Sequence, residues 1–315
     1  TIPSRMGVLP VREEIIAPLD QTLASVVPGE AIRIDAVVRT RNVGHFFPGG
    51  TVDAFDVWLE LKAVDNNDKV LFWSGYVEDN GKGPVESSAH YYRSFLLDGK
   101  GQPINKRNAW AARSLLYVQL IPPGAANTVR FRLQIPEDVG NEVRLEAKLN
   151  YRKFSWWNTQ FAYAGVRDVT GHATPDYDLA KWTFDGDLAN VSGPLKNIPD
   201  VPIITMASDN VRLLVNRELS ASAPAHSVYR TEDTLRWNDY GIGLLLQGDL
   251  KSAEKAFLEV TKLDPNYADG WVNIARVRVQ EGDPEGAQLV LTRALELDPN
   301  LAKSQYFYGL TLKTQ

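Results

Sequence analysis

Apolar and polar residues alternate along several stretches in the first two thirds of the chain. The pattern is clear in AIRIDAVVR at 31–39, in TVRFRLQI at 128–135, and again across 143–151. A strand with one buried face produces this period of two, because successive side chains lie on opposite faces of a sheet. These stretches therefore predict β-strands that each turn one face towards a hydrophobic core.

Turn-forming sequences separate the predicted strands. They include FPGG at 47–50, DNND at 65–68 and PPG at 122–124. Short alternating strands with no helical stretch between them favour an antiparallel arrangement, so we expect an Ig-like β-sandwich at 26–217 with about eight strands. Residues 155–202 are less regular, and we expect them to form a long ordered excursion over the sandwich.

The hydrophobic period becomes helical after about residue 230, where a 34-residue repeat begins. The phrase LDPN occurs twice, with Pro265 and Pro299 at equivalent positions, and Trp237 aligns with Trp271 in the same register. This order of aromatic, small, bulky and proline positions resembles the tetratricopeptide repeat. Small residues there let two helices approach closely, and an aspartate is placed to cap the second helix.

Together, the two periods predict a multidomain fold with β and α parts, an antiparallel sandwich followed by a short helical solenoid. The predicted organisation is a lead-in segment at 1–25, the sandwich at 26–217, a linker at 218–231 and tetratricopeptide repeats at 232–315, divided into 234–267, 268–301 and a partial unit at 302–315.

The N-terminal half contains several distinctive sequence motifs, which we call phrases. RNVGHFFPGG lies at 41–50, AHYYRSFLLDGKGQPI at 89–104, LIPPG at 120–124 and AKLNYRKF at 147–154. Together they resemble the β-rich region that follows the haem-binding part of multihaem c-type cytochromes that also carry tetratricopeptide repeats. The resemblance covers about residues 8–217 and implies the structural, partner-facing part of such a protein.

The absence of cysteine excludes several kinds of chemistry. Without a thiol the chain has no thiol nucleophile, disulfide, thiolate metal site or covalent haem attachment. Any haem c is therefore expected on a partner chain or on a segment missing from this sequence. The chain opens with TIPSRMGVLP, so we expect a processed form or a fragment.

Charge, hydropathy and motif content disfavour several classes of partner and function for this chain. The formal net charge is −5, with no block of basic residues, which disfavours nucleic acid as a partner. No apolar run approaches the roughly 20 residues that a membrane span requires. No combination of nucleophile, base and oxyanion donor stands out, so we expect a protein that is not an enzyme.

Two histidines are candidate haem ligands. His45 lies between Gly44 and two phenylalanines, and His90 lies beside two tyrosines. Each imidazole could ligate the iron of a haem that a partner supplies. The alternative is that each histidine donates hydrogen bonds that order its own loop or strand.

An aromatic cluster follows the YRKF phrase. It contains Trp156, Trp157, Phe161 and Tyr163, with Trp182 further along the chain. If these rings are exposed, they form a platform for sugars or for an apolar partner. If they are buried, they seal the excursion onto the sheet.

The first helices of the repeats are predicted to line a groove that binds an extended or helical segment of a partner. The alternative is that the chain's own sandwich fills this groove. The residues predicted to face it are Leu235, Asn238, Ile242 and Leu245 in the first repeat, Asp269, Val272, Arg276 and Val279 in the second, and Lys303, Tyr306 and Leu310 in the third.

These observations lead to a functional hypothesis. We expect a non-enzymatic scaffold or sheath subunit in the extracytoplasmic space of a prokaryote, which binds a multihaem c-type cytochrome and supports electron transfer. Self-assembly into an oligomer or filament is part of this expectation. The alternative is a carbohydrate-binding or cell-surface structural protein that uses the aromatic residues of the sandwich.

Overall fold

The computed structural model describes residues 15–22, 24–104, 109–159, 166–167, 182–183, 200–218 and 233–314. Strands occupy most of the part before residue 218, and helices the part after residue 233. The strands are β1 (Ser25–Val26), β2 (Ala31–Arg39), β3 (Asp56–Asp65), β4 (Val70–Ser74), β5 (His90–Tyr91), β6 (Ser94–Leu97), β7 (Ser114–Val118), β8 (Ala126–Gln134), β9 (Glu142–Arg152), β10 (Val166–Arg167), β11 (Trp182–Thr183) and β12 (Ile203–Val215). The helices are α1 (Glu78–Gly81), α2 (Thr234–Leu246), α3 (Leu250–Leu263), α4 (Ala268–Glu281), α5 (Pro284–Leu297) and α6 (Ala302–Thr314), with a 3₁₀ turn at Ala109–Ala111.

The main sheet has the strand order β1-β12-β9-β3-β4, and β5 also pairs with β3. Its three long strands, β3, β9 and β12, pair antiparallel, as the alternating pattern predicts. The short β1 pairs parallel with β12, Ser25 beside Leu214. The prediction of a wholly antiparallel region is wrong at this edge, because the chain reaches β12 from a distant part of the sequence and only two residues pair.

A second sheet, the antiparallel ribbon of β2 and β8, faces the main sheet across one hydrophobic core. Ile34, Phe131 and Leu133 from the ribbon pack in the same cluster as Leu59 and Leu145 from the main sheet. The two sheets form a curled half-barrel. The β-rich character is confirmed, whereas the Ig-like form of the sandwich stays a prediction.

Smaller strand pairs complete the β region. β6 pairs with β7, and β10 pairs with β11 inside the predicted excursion. Most of 155–202 lies outside the described residues, so the ordered excursion stays a prediction. The predicted domain boundaries also stay predictions.

The helical region follows the predicted repeat closely. Asp249 and Asp283 cap α3 and α5 by accepting hydrogen bonds from the backbone N–H of Ser252 and Gly286. Such caps satisfy donors that the first turn of a helix leaves unpaired. Pro265 lies just after α3, where its carbonyl accepts a hydrogen bond from Trp271 at 3.0 Å.

The helical stack meets the β region along α2. Arg39 on β2 forms an ion pair with Asp239 at 2.7 Å, and the Tyr240 hydroxyl donates to Asp35 at 2.8 Å. Gln247 donates to the backbone carbonyl of Thr128 on β8 at 2.6 Å. The strands thus occupy the end of the stack where an earlier repeat would pack.

Candidate functional site

The first helices of the three repeats, α2, α4 and α6, lie side by side and are joined by polar contacts. Asn273 donates to Asn238 at 2.8 Å, and Arg276 donates to the carbonyl oxygen of the Asn273 side chain at 3.0 Å. Lys303 pairs with Asp269 at 2.9 Å. These contacts hold the helices in the row that the sequence predicts for a groove.

The exposed residues of this row lie at its two ends. Leu235 is exposed in the first repeat, and Tyr306 is 65% exposed in the third. Lys303 is also exposed beside Tyr306. Five other residues that were predicted to face the groove are of intermediate burial, namely Ile242, Asp269, Arg276, Val279 and Leu310.

Three residues predicted to face a partner are buried instead. Leu245 and Val272 are at most 3% exposed and belong to the apolar clusters that hold neighbouring helices together, and Asn238 is 6% exposed. Because the helices approach so closely, these side chains stabilise the stack. The surface that remains carries three charged side chains, those of Asp269, Arg276 and Lys303, among its apolar ones.

Arg276 is the main charged group within the groove. Its guanidinium lies 5.9 Å from the centroid of the Phe307 ring, and burial lowers its pKa although Asp269 opposes the shift. A cation that is partly removed from water attracts an anionic group more strongly than an exposed one does. The groove is therefore suited to a segment that carries a carboxylate.

Within the part of the chain that the structure describes, the β region does not fill the groove along its length. Among the described residues, Ile242 is the groove residue that packs against the core of the β region. The charged contacts to the strands come instead from Asp239 and Tyr240. Of the two alternatives, an open groove fits the described part of the chain better from the second repeat onward.

The lead-in segment also reaches the repeats, which sequence reasoning missed. Ile15 and Ala17 pack against the cluster around α2 and α3, and Asp20 pairs with Arg236 at 2.7 Å. Arg236 holds the pKa of Asp20 below its ordinary value. The Ile15–Ile16 pair and the acidic Asp20 were the available signals, but nothing local connects them to a helix more than 200 residues away.

His45 lies on an exposed loop beside the exposed ring of Phe46. Its Nδ1 lies 2.7 Å from the carbonyl oxygen of Phe46. A carbonyl can only accept, so Nδ1 donates this hydrogen bond, and in a neutral ring this leaves the lone pair on Nε2, the arrangement that metal-ligating histidines commonly show. This tautomer is compatible with the hypothesis that His45 ligates a haem iron, and that hypothesis stays a prediction.

His90 lies in a different environment. Its Nε2 lies 3.1 Å from the side-chain oxygen of Asn127, which also accepts from the Tyr92 hydroxyl at 3.0 Å. Burial lowers the pKa of His90, although the bond to Asn127 opposes this. The alternative of a hydrogen-bonded structural histidine fits this geometry, since Nε2 is engaged and the ring packs edge-on against Tyr92 at 5.0 Å.

The aromatic cluster is described only in part. Trp156 and Trp157 pack edge to face with ring centroids 4.7 Å apart, and Trp157 is 42% exposed. Phe161 and Tyr163 lie outside the described residues. The exposure of Trp157 keeps the platform hypothesis open, whereas Trp156 is more buried.

An apolar ribbon on the β region is a further surface that sequence reasoning missed. Every residue of β7 is exposed, including four large hydrophobic side chains. The uninterrupted run LLYV is typical of a buried strand, so the pattern alone points the wrong way. Trp110 adds to this exposed set, whose members are Trp110, Leu115, Leu116, Tyr117 and Val118.

The described residues offer neither a cluster of metal ligands nor a membrane-spanning helix. Within them, no group of three or more histidine, cysteine, aspartate or glutamate side chains is placed to hold a metal ion. In the same part of the chain, no helix has the length and apolar character needed to cross a membrane.

Solved structures similar to this chain include two that match it over limited parts of its length. A penta-heme cytochrome c552 from Thermochromatium tepidum is 16% identical, with a TM-score of 0.36, over 58% of this chain and 36% of the cytochrome. The second TPR of Spaghetti (RPAP3) bound to HSP90 peptide SRMEEVD is 20% identical, with a TM-score of 0.26, over 26% of this chain and 77% of that one.

Comparisons of the sequence identify one known repeat family. No curated protein matches the chain significantly. The family model described as Tetratricopeptide repeat matches residues 244–310. Such repeats form extended binding surfaces for other proteins. The predicted repeat is therefore confirmed, and the helical region of the chain is a protein–protein interaction module of the tetratricopeptide repeat type.

Proposed function

We propose that the chain is a non-enzymatic binding and assembly module whose groove holds a segment of a protein partner. The observation that carries this proposal is the row of α2, α4 and α6, in which Arg276 lies partly buried and Tyr306 is exposed. Tyrosine and arginine, here on the neighbouring helices α6 and α4, are residue types that often dominate binding energy. The groove favours a segment with an apolar residue and a carboxylate.

The partner we propose is a multihaem c-type cytochrome, in the extracytoplasmic space of a prokaryote. Support comes from the sequence phrases around 41–50, 120–124 and 147–154 and from their order before the repeats. The exposed His45 and Phe46 offer an imidazole and an apolar ring at one loop. Haem c would be carried by the partner or by a segment outside this sequence.

The experiment is a binding titration between the purified chain and a multihaem c-type cytochrome. We expect Tyr306→Ala and Arg276→Gln each to weaken binding about tenfold, since each removes an anchor worth more than about 1 kcal/mol. Leu289→Ala is the matched control, because Leu289 is 75% exposed on α5, outside the row of first helices. Binding that is absent, or that the groove variants leave unchanged, contradicts the proposal.

The assembly part of the proposal rests on the apolar ribbon. β7 contains no charged residue, so a second copy can lie against it without opposing like charges. A contiguous exposed apolar surface favours association. Sedimentation velocity of the chain and of Leu116→Ser tests this, and a monomer at high concentration contradicts it.

A second candidate function is carbohydrate binding by the β region. The exposed indole of Trp157 favours it, because sugar rings stack on exposed aromatic faces. Binding on a glycan array that Trp157→Ala abolishes would support this function. Binding that survives the substitution removes this version of the hypothesis.

A further inference from the structure

Two arginines and one aspartate form a buried cluster at the start of β3. Asp56 on β3 lies opposite Arg152 on β9, and the Nη2 atom of Arg152 donates to the Oδ2 atom of Asp56 at 2.9 Å. The Nη1 atom of Arg93, which directly precedes β6, lies 3.6 Å from the Oδ1 atom of the same carboxylate. The side chains of all three residues are at most 9% exposed. One buried carboxylate is therefore shared by two guanidinium groups.

This cluster carries one more positive than negative charge, because two guanidinium groups face a single carboxylate. Within the part of the chain that the structure describes, no other carboxylate forms an ion pair with either arginine. The neighbouring phenols do not supply a negative charge, since burial raises the pKa of Tyr91 and of Tyr117 although Arg93 opposes both shifts. A buried charge without a partner is costly, so an anion that reaches this cluster is stabilised there.

Arg93 is the arginine that has hydrogen-bond donors to spare. Arg152 also donates to the backbone carbonyl of Gly83 at 2.8 Å, whereas the 3.6 Å contact of Arg93 with Asp56 is too long for a hydrogen bond. In the described part of the chain, Arg93 forms one hydrogen bond, from Nε to the carbonyl oxygen of Ser94 at 3.4 Å. The terminal nitrogens of its guanidinium are therefore available to an anion, and 9% of the side chain is exposed.

Aromatic rings surround this guanidinium. Its central carbon lies 5.7 Å from the centroid of the Tyr91 ring and 5.4 Å from the centroid of the Phe95 ring. Phe95 is paired with Tyr117 on β7, and the two rings are stacked with centroids 5.3 Å apart. Tyr117 is 39% exposed. A row of rings therefore extends from the surface to the cation.

We propose that Arg93 binds the carboxylate of a small aromatic acid whose ring lies against Phe95 and Tyr117. A planar guanidinium matches a carboxylate because two parallel N–H···O bonds can form at once. The single excess positive charge fits a monoanion better than a phosphate, which carries about two negative charges at neutral pH. The rings favour a ligand with a flat apolar body. This site lies on the β region and not on the helices of the groove, so the inference goes beyond the proposed function.

The test uses the full chain and benzoate as the probe, in a titration that follows the NMR signals of the probe. We expect these signals to broaden when the chain is added, with a Kd of about 1 mM, because so small a ligand has few atoms that contribute to binding. Benzyl alcohol has the same ring without the charge and is expected to bind about tenfold more weakly. Inorganic phosphate at the same concentration is expected to leave benzoate bound.

Substitutions of Arg93 locate the probe. Arg93→Gln is expected to weaken benzoate binding about tenfold, because it removes the charged donor and leaves Asp56 paired with Arg152. Arg93→Lys keeps the charge without the planar pair of donors, so we expect binding about threefold weaker, and this variant decides the matter if the glutamine variant does not fold. Arg113→Gln is the matched control, because Arg113 is an exposed arginine directly before β7. It is expected to bind benzoate as the unaltered chain does.

A second set of variants tests the aromatic part of the site. Tyr117→Ala is expected to weaken benzoate binding about fivefold, whereas Tyr117→Phe keeps the ring and should restore it. Tyr306→Ala in the groove is expected to weaken cytochrome binding alone, so failure of one proposal does not imply failure of the other. Benzoate that does not bind, or that binds both Arg93 variants as tightly as the unaltered chain, overturns the inference. Benzyl alcohol or phosphate that binds as tightly as benzoate also overturns it, because the site would then not select an aromatic carboxylate.

Discussion

The two ends of the helical stack differ in how they are covered. At the N-terminal end, α2 lies on β2 and β8, and its charged residues are paired across the junction. At the C-terminal end, α6 leaves Tyr306, Gly309 and Leu312 exposed. A solenoid needs a polar or covered surface at each end to remain stable in water. The β region therefore covers the end of the stack that α2 forms, and the contacts there stabilise it.

The largest expected contrast lies between a buried side chain inside the stack and an exposed one on α6. Phe257→Ala should lower the free energy of unfolding of the repeats by about 3–5 kcal/mol, because it leaves a cavity between α2 and α3. Leu312→Ala should change it by no more than about 0.5 kcal/mol, since Leu312 is largely exposed. Urea unfolding followed by circular dichroism at 222 nm measures both. Equal losses would mean that the C-terminal end is as tightly packed as the interior.

The next contrast concerns the ion pairs at the two ends. The Asp239 side chain is 8% exposed, and burial already raises its pKa although Arg39 opposes the shift. Arg39→Ala should therefore cost about 1–3 kcal/mol, because it leaves a buried carboxylate without its partner.

The matched control for Arg39→Ala is Lys303→Ala on α6. Lys303 is 62% exposed in its pair with Asp269, so its loss should cost less than about 1 kcal/mol. Adding Asp239→Asn to Arg39→Ala should restore part of the stability, since the unpaired charge is then removed. A double variant no more stable than the single one would show that Arg39 acts through packing alone.

How much of this could be predicted depends on how local the determining contacts are. The repeat was predictable because Asp249, Asp283 and Pro265 act within a few residues of the helix ends that they define. The packing of α2 on β2 was not, because Tyr240 and Asp35 are 205 residues apart and neither is unusual locally. The curl of the sheets likewise depends on pairing between distant strands.

The two candidate ligands show the same limit. His45 and His90 each have two aromatic neighbours in sequence, yet one lies on an exposed loop and the other is largely buried against Asn127. Side-chain burial depends on what the rest of the chain places above a residue, and no local pattern records it. The exposure of β7 could not be predicted for the converse reason, since an apolar run does not show whether anything covers it.

His90 allows a test of how the stability of the β region depends on pH. An unfolded histidine titrates near pH 6.5, and burial lowers the folded pKa of His90. Below about pH 6.5 the unfolded state then binds more protons than the folded state, so stability should fall as the pH falls, by no more than about 1.4 kcal/mol per pH unit. Urea unfolding followed by tryptophan fluorescence, at pH 7.5 and 5.5, measures the difference.

Replacing His90 itself is the control for this pH dependence. His90→Gln should remove most of the dependence between pH 7.5 and 5.5, because burial lowers the pKa of this side chain. If the substitution leaves the dependence intact, His90 is as well solvated when folded as when unfolded.

The smallest expected effect has the opposite sign and belongs to Gly309 on α6. Gly309→Ala should raise the stability of the repeats by about 0.5–1 kcal/mol, because alanine favours the helical state and its Cβ would meet no neighbouring atom within 4 Å. Gly241→Ala should lower stability despite the same gain in helix propensity, since its Cβ would meet the ring of Phe257. Urea unfolding of the two variants compares two equivalent positions of the repeat. A loss of stability in both would mean that Gly309 is packed as closely as Gly241.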